Sequence, residues 1–151
     1  MITAQVESWS DCVVELGAIF PEHFDELALN KDKAPLAPRW GVYADLDASG
    51  SLMLMTLRER GEMVGYFVGI VSPSLHYGET LECNMDIFFV RPAWRGRHAG
   101  LRLFKAVRRE LQRRGVKRWF VGSKMHKDAS RLFKALGMTP IETYYSQWIG
   151  A

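Results

Sequence analysis

The segment from Leu81 to Gly115 constrains the fold of this chain more than any other. Its first ten residues, LECNMDIFFV, combine β-branched and aromatic side chains and read as a strand. A tight turn follows, RPAWRGRHAG, holding Pro92, Gly96 and Gly100. Then LRLFKAVRRELQRRG spaces Leu101, Phe104, Val107 and Leu111 three to four residues apart, which makes one helical face. A strand that runs through a glycine-bearing basic loop into a helix aims several backbone N–H groups at one spot. The helix dipole adds partial positive charge there, so a phosphate is the natural occupant.

The rest of the chain supplies a setting for this unit. Residues 8–30 predict one or two helices, with Ser8 or Ser10 as cap and Pro21 ending or kinking the first. Lys31 to Gly41, broken by Pro35 and Pro38, reads as an ordered loop, and Asp45 to Gly50 as a turn or short helical excursion. Leu52–Arg58 and Met63–Val71 read as strands joined in a hairpin through Glu59-Arg60-Gly61-Glu62. Lys117–Ser123 predicts another strand, Asp128–Leu136 a helix closed by Gly137, and Thr139–Ile149 a final strand or strand pair. Both a strand–helix–strand unit and antiparallel neighbours are implied. The expected fold is therefore α/β in composition: one domain over residues 1–151, with a central mixed sheet flanked by helices.

Composition narrows the function. A chain of 151 residues, 48% hydrophobic and 25% charged, suits one water-soluble domain. The longest apolar run, Val64 to Val71, contains two glycines and is far short of the ~20 residues that span a bilayer, so no membrane association is expected. The N-terminus lacks a signal-peptide pattern. Cys12 and Cys83 have neither metal-site spacing nor a disulfide framework, and a reduced, cytoplasmic setting is expected. Charge is divided along the chain. Residues 1–90 hold 5 Lys/Arg and 14 Asp/Glu, whereas residues 91–134 hold 15 Lys/Arg against Glu110 and Asp128. The cationic half suits a polyanionic ligand.

On the predicted central strand, Glu82, Asn84, Asp86, Phe88 and Val90 share one face, and Cys83, Met85, Ile87 and Phe89 the other. Consecutive polar residues on one face of an otherwise buried strand need partners, water or a ligand.

Val90 to Gly100 (VRPAWRGRHAG) resembles the V-x-P-x-x-R-G-x-G-x-G/A signature of the GCN5-related N-acetyltransferases. Ala129 to Met138 (ASRLFKALGM) resembles that family's A-x-x-L-Y-x-x-L-G-F segment. The order and length of elements fit as well, most weakly over the first 50 residues, and compact single-domain bacterial or phage members are the most similar. The resemblance implies the family's mixed-sheet fold and acetyl-CoA as cosubstrate. Its pyrophosphate would lie on the amides of Arg95, Gly96, Arg97, His98, Ala99 and Gly100, and its pantetheine arm along Phe88, Phe89 and Val90, beside His126 and Phe133. It also implies direct acetyl transfer to a primary amine, on a small molecule or a protein, with no metal. Asp86 would serve as base, Glu82 as the second choice, and a backbone N–H at Phe89 or Val90 as oxyanion donor. Two positions depart from the signature. His98 stands for the central glycine, and Phe133 for the tyrosine that protonates the leaving thiolate in many relatives; Tyr144 or Tyr145 could substitute.

Two rival readings stay open. The basic helix could bind nucleic acid, a reading placed behind the first because Trp94 and Trp119 are the only nearby stacking candidates. Alternatively, the protein is a CoA-binding relative of weak activity. The apolar tail from Tyr144 to Ile149 leaves room for a homodimer.

Overall fold

A computed structural model describes all 151 residues. In chain order the elements are β1 (Ile2–Val6), α1 (Trp9–Leu27), α2 (Trp40–Ala48), β2 (Leu52–Glu59), β3 (Glu62–Pro73), β4 (Leu81–Val90), α3 (Ala99–Arg113), β5 (Arg118–Phe120) and α4 (Ser130–Ala135). The strands form one sheet in the order β1-β2-β3-β4-β5. The first four are antiparallel neighbours, and β5 joins β4 in parallel. The sheet is mixed, as the strand and helix periodicities predict.

Each face of the sheet is covered by helices. Leu103, Phe104, Val107 and Leu111 of α3, with Phe133 of α4, pack on Met55, Leu57, Phe67 and Cys83. On the opposite face, Trp9, Cys12, Leu16, Ile19 and Phe20 of α1 pack on Leu54, Tyr66, Val68 and Phe89. The β2–β3 turn puts Arg60 at φ 52° and Gly61 at φ 81°, the left-handed pair that a two-residue hairpin requires. No helix is long and apolar enough to cross a membrane.

Two expectations are corrected, one is extended and one strand was not foreseen. Pro21 neither ends nor breaks α1, which continues to Leu27. Pro21 and Gly17, whose carbonyl loses the bond, both lie on the exposed side, where the carbonyl is open to solvent. The short helical excursion expected at residues 45–50 is the end of a helix that begins at Trp40, inside the expected loop, and runs to Ala48. Ile2–Val6 forms an edge strand against β2 that the sequence reading passed over. Residues 139–149 form no strand, and Tyr144, Tyr145 and Ile149 stand 87–93% exposed. A β-prone composition needs a partner edge to become a strand.

The division of charge becomes a division between faces. Helices α1 and α2 carry seven acids (Asp11, Glu15, Glu22, Asp25, Glu26, Asp45, Asp47) and no Lys or Arg, whereas α3 and α4 carry seven Lys/Arg against Glu110 alone.

Candidate active site

The site is built on an irregularity in β4. Val68 of β3 stands opposite Ile87, but Gly69 stands opposite Met85, so Asp86 is an extra residue with no partner across the ladder. Such a bulge reverses the sense of alternation beyond it. Cys83 and Met85 face α3, as do Phe88 and Val90, while Ile87 and Phe89 face α1. The single face expected for Glu82, Asn84, Asp86, Phe88 and Val90 is therefore interrupted at Asp86.

The other edge of β4 opens at the same place. Strand β5 pairs only with Glu82, Cys83 and Asn84, and from Met85 onward β4 has no neighbour on that side. Arg91 N donates to Val64 O at 2.9 Å. In an antiparallel ladder, hydrogen-bonded and non-bonded pairs alternate. The amide of Phe89 is thus turned to β3, and those of Val90 and Phe88 to the open edge. Of the two oxyanion donors expected, Val90 keeps a free N–H and Phe89 does not.

A cavity of about 1140 Å³ lies along this edge. One end meets the N-terminus of α3, where the first turn bond runs from Arg102 N to His98 O. The amides of Gly96, Arg97, His98, Ala99, Gly100 and Leu101 donate to no protein acceptor, and no side chain caps the helix. Gly96 adopts φ 81° and His98 φ 56°, ψ 21°. These left-handed residues curl the loop so that successive amides converge. His98 meets the left-handed demand of this turn, which glycine meets without strain, with its Cβ in place.

The arginines of this loop are engaged elsewhere. Arg91 pairs with Glu22 and Glu62 at 3.4 and 3.0 Å, and Arg97 approaches Glu59 at 3.9 Å. Arg95 donates to Val90 O at 2.7 Å and grips both carboxylate oxygens of Glu26 at 2.7 and 2.6 Å. Hydrogen bonding from Arg95 holds Glu26 below the usual carboxylate range. Guanidinium groups thus pin the loop to α1 and the β2–β3 hairpin, and the cradle itself consists of backbone amides.

Asp86 lines the cavity and accepts a 2.5 Å hydrogen bond from the Tyr43 hydroxyl. Burial, and then the Asp86 carboxylate, push the Tyr43 phenol above its ordinary value, so it remains a donor. Nearby, His23 Nδ1 lies 2.6 Å from the Tyr66 hydroxyl, and its ring stacks on Phe89 at 4.7 Å. Burial lowers the His23 pKa to about 4, so the imidazole is neutral near pH 7.

The candidates read from the sequence divide by position. Asp86, Phe88, Phe89, Val90, Arg95, Gly96, His98, Ala99 and Gly100 line the one cavity. Glu82 lies where β4 and β5 are still paired, bound to Arg118 at 3.4 Å in a separate, smaller hollow. His126 is exposed, with Nε2 3.2 Å from Leu27 O, and it ties the β5–α4 loop to the end of α1. Phe133 turns its ring into the core against Phe88 and Phe104. Tyr144 is 87% exposed and outside the cavity. Burial raises the Cys83 thiol to about 12 on the α3 face, and it takes no part in the cavity.

His23, Tyr43 and Glu26 were not singled out from sequence. His23 was the most accessible of the three: it continues the Leu16, Phe20, His23, Leu27 stripe of α1, so a buried imidazole was legible. Tyr43 and Glu26 gave no comparable signal, because their partners are 43 and 69 residues away.

Known proteins share this fold. Residues 13–138 match the model of the acetyltransferase (GNAT) family. The chain is similar to an aminoglycoside acetyltransferase, HMB0005, from an uncultured soil metagenomic sample, with 19% identity, 99% of each chain covered and a TM-score of 0.78. It is also similar to the ribosomal-protein-alanine N-acetyltransferase of Brucella melitensis biovar Abortus 2308, with 14% identity over 99% of this chain and 100% of that one, TM-score 0.73. A predicted acetyltransferase of Clostridium acetobutylicum solved with acetyl-CoA shares 11% identity, covering 99% of this chain and 97% of that one, TM-score 0.73. No curated protein matches the sequence. The bulged strand, the splayed edge and the uncapped helix sit inside the matched span, and the chain belongs to the GNAT family of acetyltransferases.

Proposed function

We propose that the protein transfers an acetyl group from acetyl-CoA directly to a primary amine held beside Asp86. The observation that carries this reading is the meeting, in one cavity, of an extruded carboxylate, an open strand edge and a run of free amides. The residues fit the cosubstrate: the amides from Gly96 to Leu101 suit its pyrophosphate, and the unpaired edge from Met85 to Val90 suits its amide-bearing arm. When bound, acetyl-CoA supplies an acyl group activated as a thioester.

This chain's own residues do the rest. An alkylamine of pKa about 10.4 must shed a proton to attack, at a cost of roughly 4.6 kcal/mol at pH 7. Asp86 first holds the ammonium as an ion pair and then accepts that proton, directly or through one water. Tyr43 keeps the carboxylate oriented. The Val90 amide, free on the same edge, is the donor we assign to stabilise negative charge growing on the carbonyl oxygen. Cys83 is buried on the other face, with its thiol raised to about 12, so the transfer needs no acyl-cysteine. With Phe133 in the core and Tyr144 in solvent, water protonates the departing thiolate, whose pKa of about 8.5 makes it a good leaving group.

Asp86→Asn should lower thiol release about 100-fold at pH 7 while acetyl-CoA binding, read by calorimetry, stays unchanged. The deficit should shrink toward pH 10, where the amine deprotonates unaided. Equal turnover by variant and wild type would eliminate Asp86 as base.

A further inference from the structure

The acceptor side of the cavity is walled by α1 and the residues that follow it. Phe20, Phe24, Leu27, Leu29, Leu36 and Pro38 face the space there. Leu29 and Leu36 remain 54% and 39% exposed although they line it, so apolar surface is available for a ligand to cover. Charge on this wall is already balanced. Both oxygens of Glu26 are held by Arg95, and Oε1 also meets Lys127 at 3.3 Å. His23 is neutral and occupied with Tyr66. The remaining acid of the cavity, Asp128, accepts from Ser123, the Ser130 amide and the Ser130 hydroxyl on the opposite side. Asp86, which has only the uncharged Tyr43 as partner, is the one carboxylate there not committed to a cation or a cap.

One uncompensated carboxylate balances one ammonium. A second ammonium on the same ligand would meet apolar side chains or the cations Arg95, Lys124 and Lys127, and would lose its water without gaining a counter-charge. A peptide would bring backbone amides to a wall with few polar side chains to receive them. We infer that the acceptor is a small monoamine with an apolar or aromatic body, and neither a polycation such as an aminoglycoside nor a peptide N-terminus. This inference rests on the acetyl-transfer reading above.

The test is thiol release by the whole protein with acetyl-CoA and three sets of amines. Phenethylamine and tryptamine form the first, spermidine and kanamycin the second, and an alanine-initiated tripeptide the third. The first set should exceed the others in kcat/KM by about tenfold or more. Leu36→Glu should lower that preference by adding a second acid to the wall. Faster turnover of a polycation or the peptide overturns the acceptor class and leaves acetyl transfer standing. Acetyl-CoA binding by calorimetry with no turnover of the first set also overturns the class. Absence of acetyl-CoA binding overturns the transfer reading itself.

Discussion

His98 shows how one residue can satisfy a backbone demand without being the residue best suited to it. At φ 56° its Cβ lies close to the backbone, a conformation costing roughly 1–2 kcal/mol for an L-residue. Glycine removes that cost but adds about 0.4–1 kcal/mol of freedom to the unfolded chain. His98→Gly should therefore gain about 0.5–1 kcal/mol, a rise in Tm of about 2 °C, and should tighten acetyl-CoA because the phosphate can approach the amide more closely. Thermal melts and calorimetry read both effects. A lower Tm would mean that the imidazole makes a contact worth more than the strain. Asp86 works in the opposite way. Nothing is strained for its sake, and its position follows from being the one residue of β4 left without a partner.

At the scale of elements, the junction of β3 and β4 sets the site. Gly65 lies opposite Val90, and a Cβ there would stand 2.8 Å from Phe89 O and 3.3 Å from the Val90 Cα. Both are backbone atoms and cannot rotate away. Gly65→Ala should push the strands apart, cost about 1–3 kcal/mol, and lower turnover by displacing the Val90 amide. Urea melts and steady-state rates together check it; an unchanged melt would mean that the sheet absorbs the methyl. The same junction marks where sequence ran out. The strand, loop and helix from Leu81 to Arg113 were legible because each has its own period and the glycines punctuate them. The faces of β4 were legible only as far as Asp86, since one extra residue leaves no mark in composition yet exchanges every later side chain. Strand β1 was missed although Ile2, Ala4 and Val6 alternate with Thr3 and Gln5, because five residues with only Ile2 fully buried are a short signal. The tail from Thr139 failed for the converse reason, having strand-like residues and no edge to pair with. The mouth of the site rests on pairs such as Arg95 with Glu26, which join segments that no local pattern connects.

Across the whole molecule, the sheet separates seven acids on α1 and α2 from a net of six positive charges on α3 and α4. Acetyl-CoA, a polyanion, should associate faster than chance collision allows, and the on-rate should fall severalfold as the Debye length shrinks from about 30 Å at 10 mM salt to about 8 Å at 150 mM. Stopped-flow fluorescence from the tryptophans can follow this, and a salt-independent rate would mean that the cationic helices act too far from the amide cradle. The chain is in effect an electric dipole with its axis through the sheet. On the proposed reading, a phosphorylated thiol is drawn toward the cationic helices, whereas Glu22 and Glu26 of α1 are already paired with Arg91, Arg95 and Lys127 and exert little pull of their own. On that same reading the amine is steered by Asp86 alone, the carboxylate at the rim of β4 whose partner is the uncharged Tyr43.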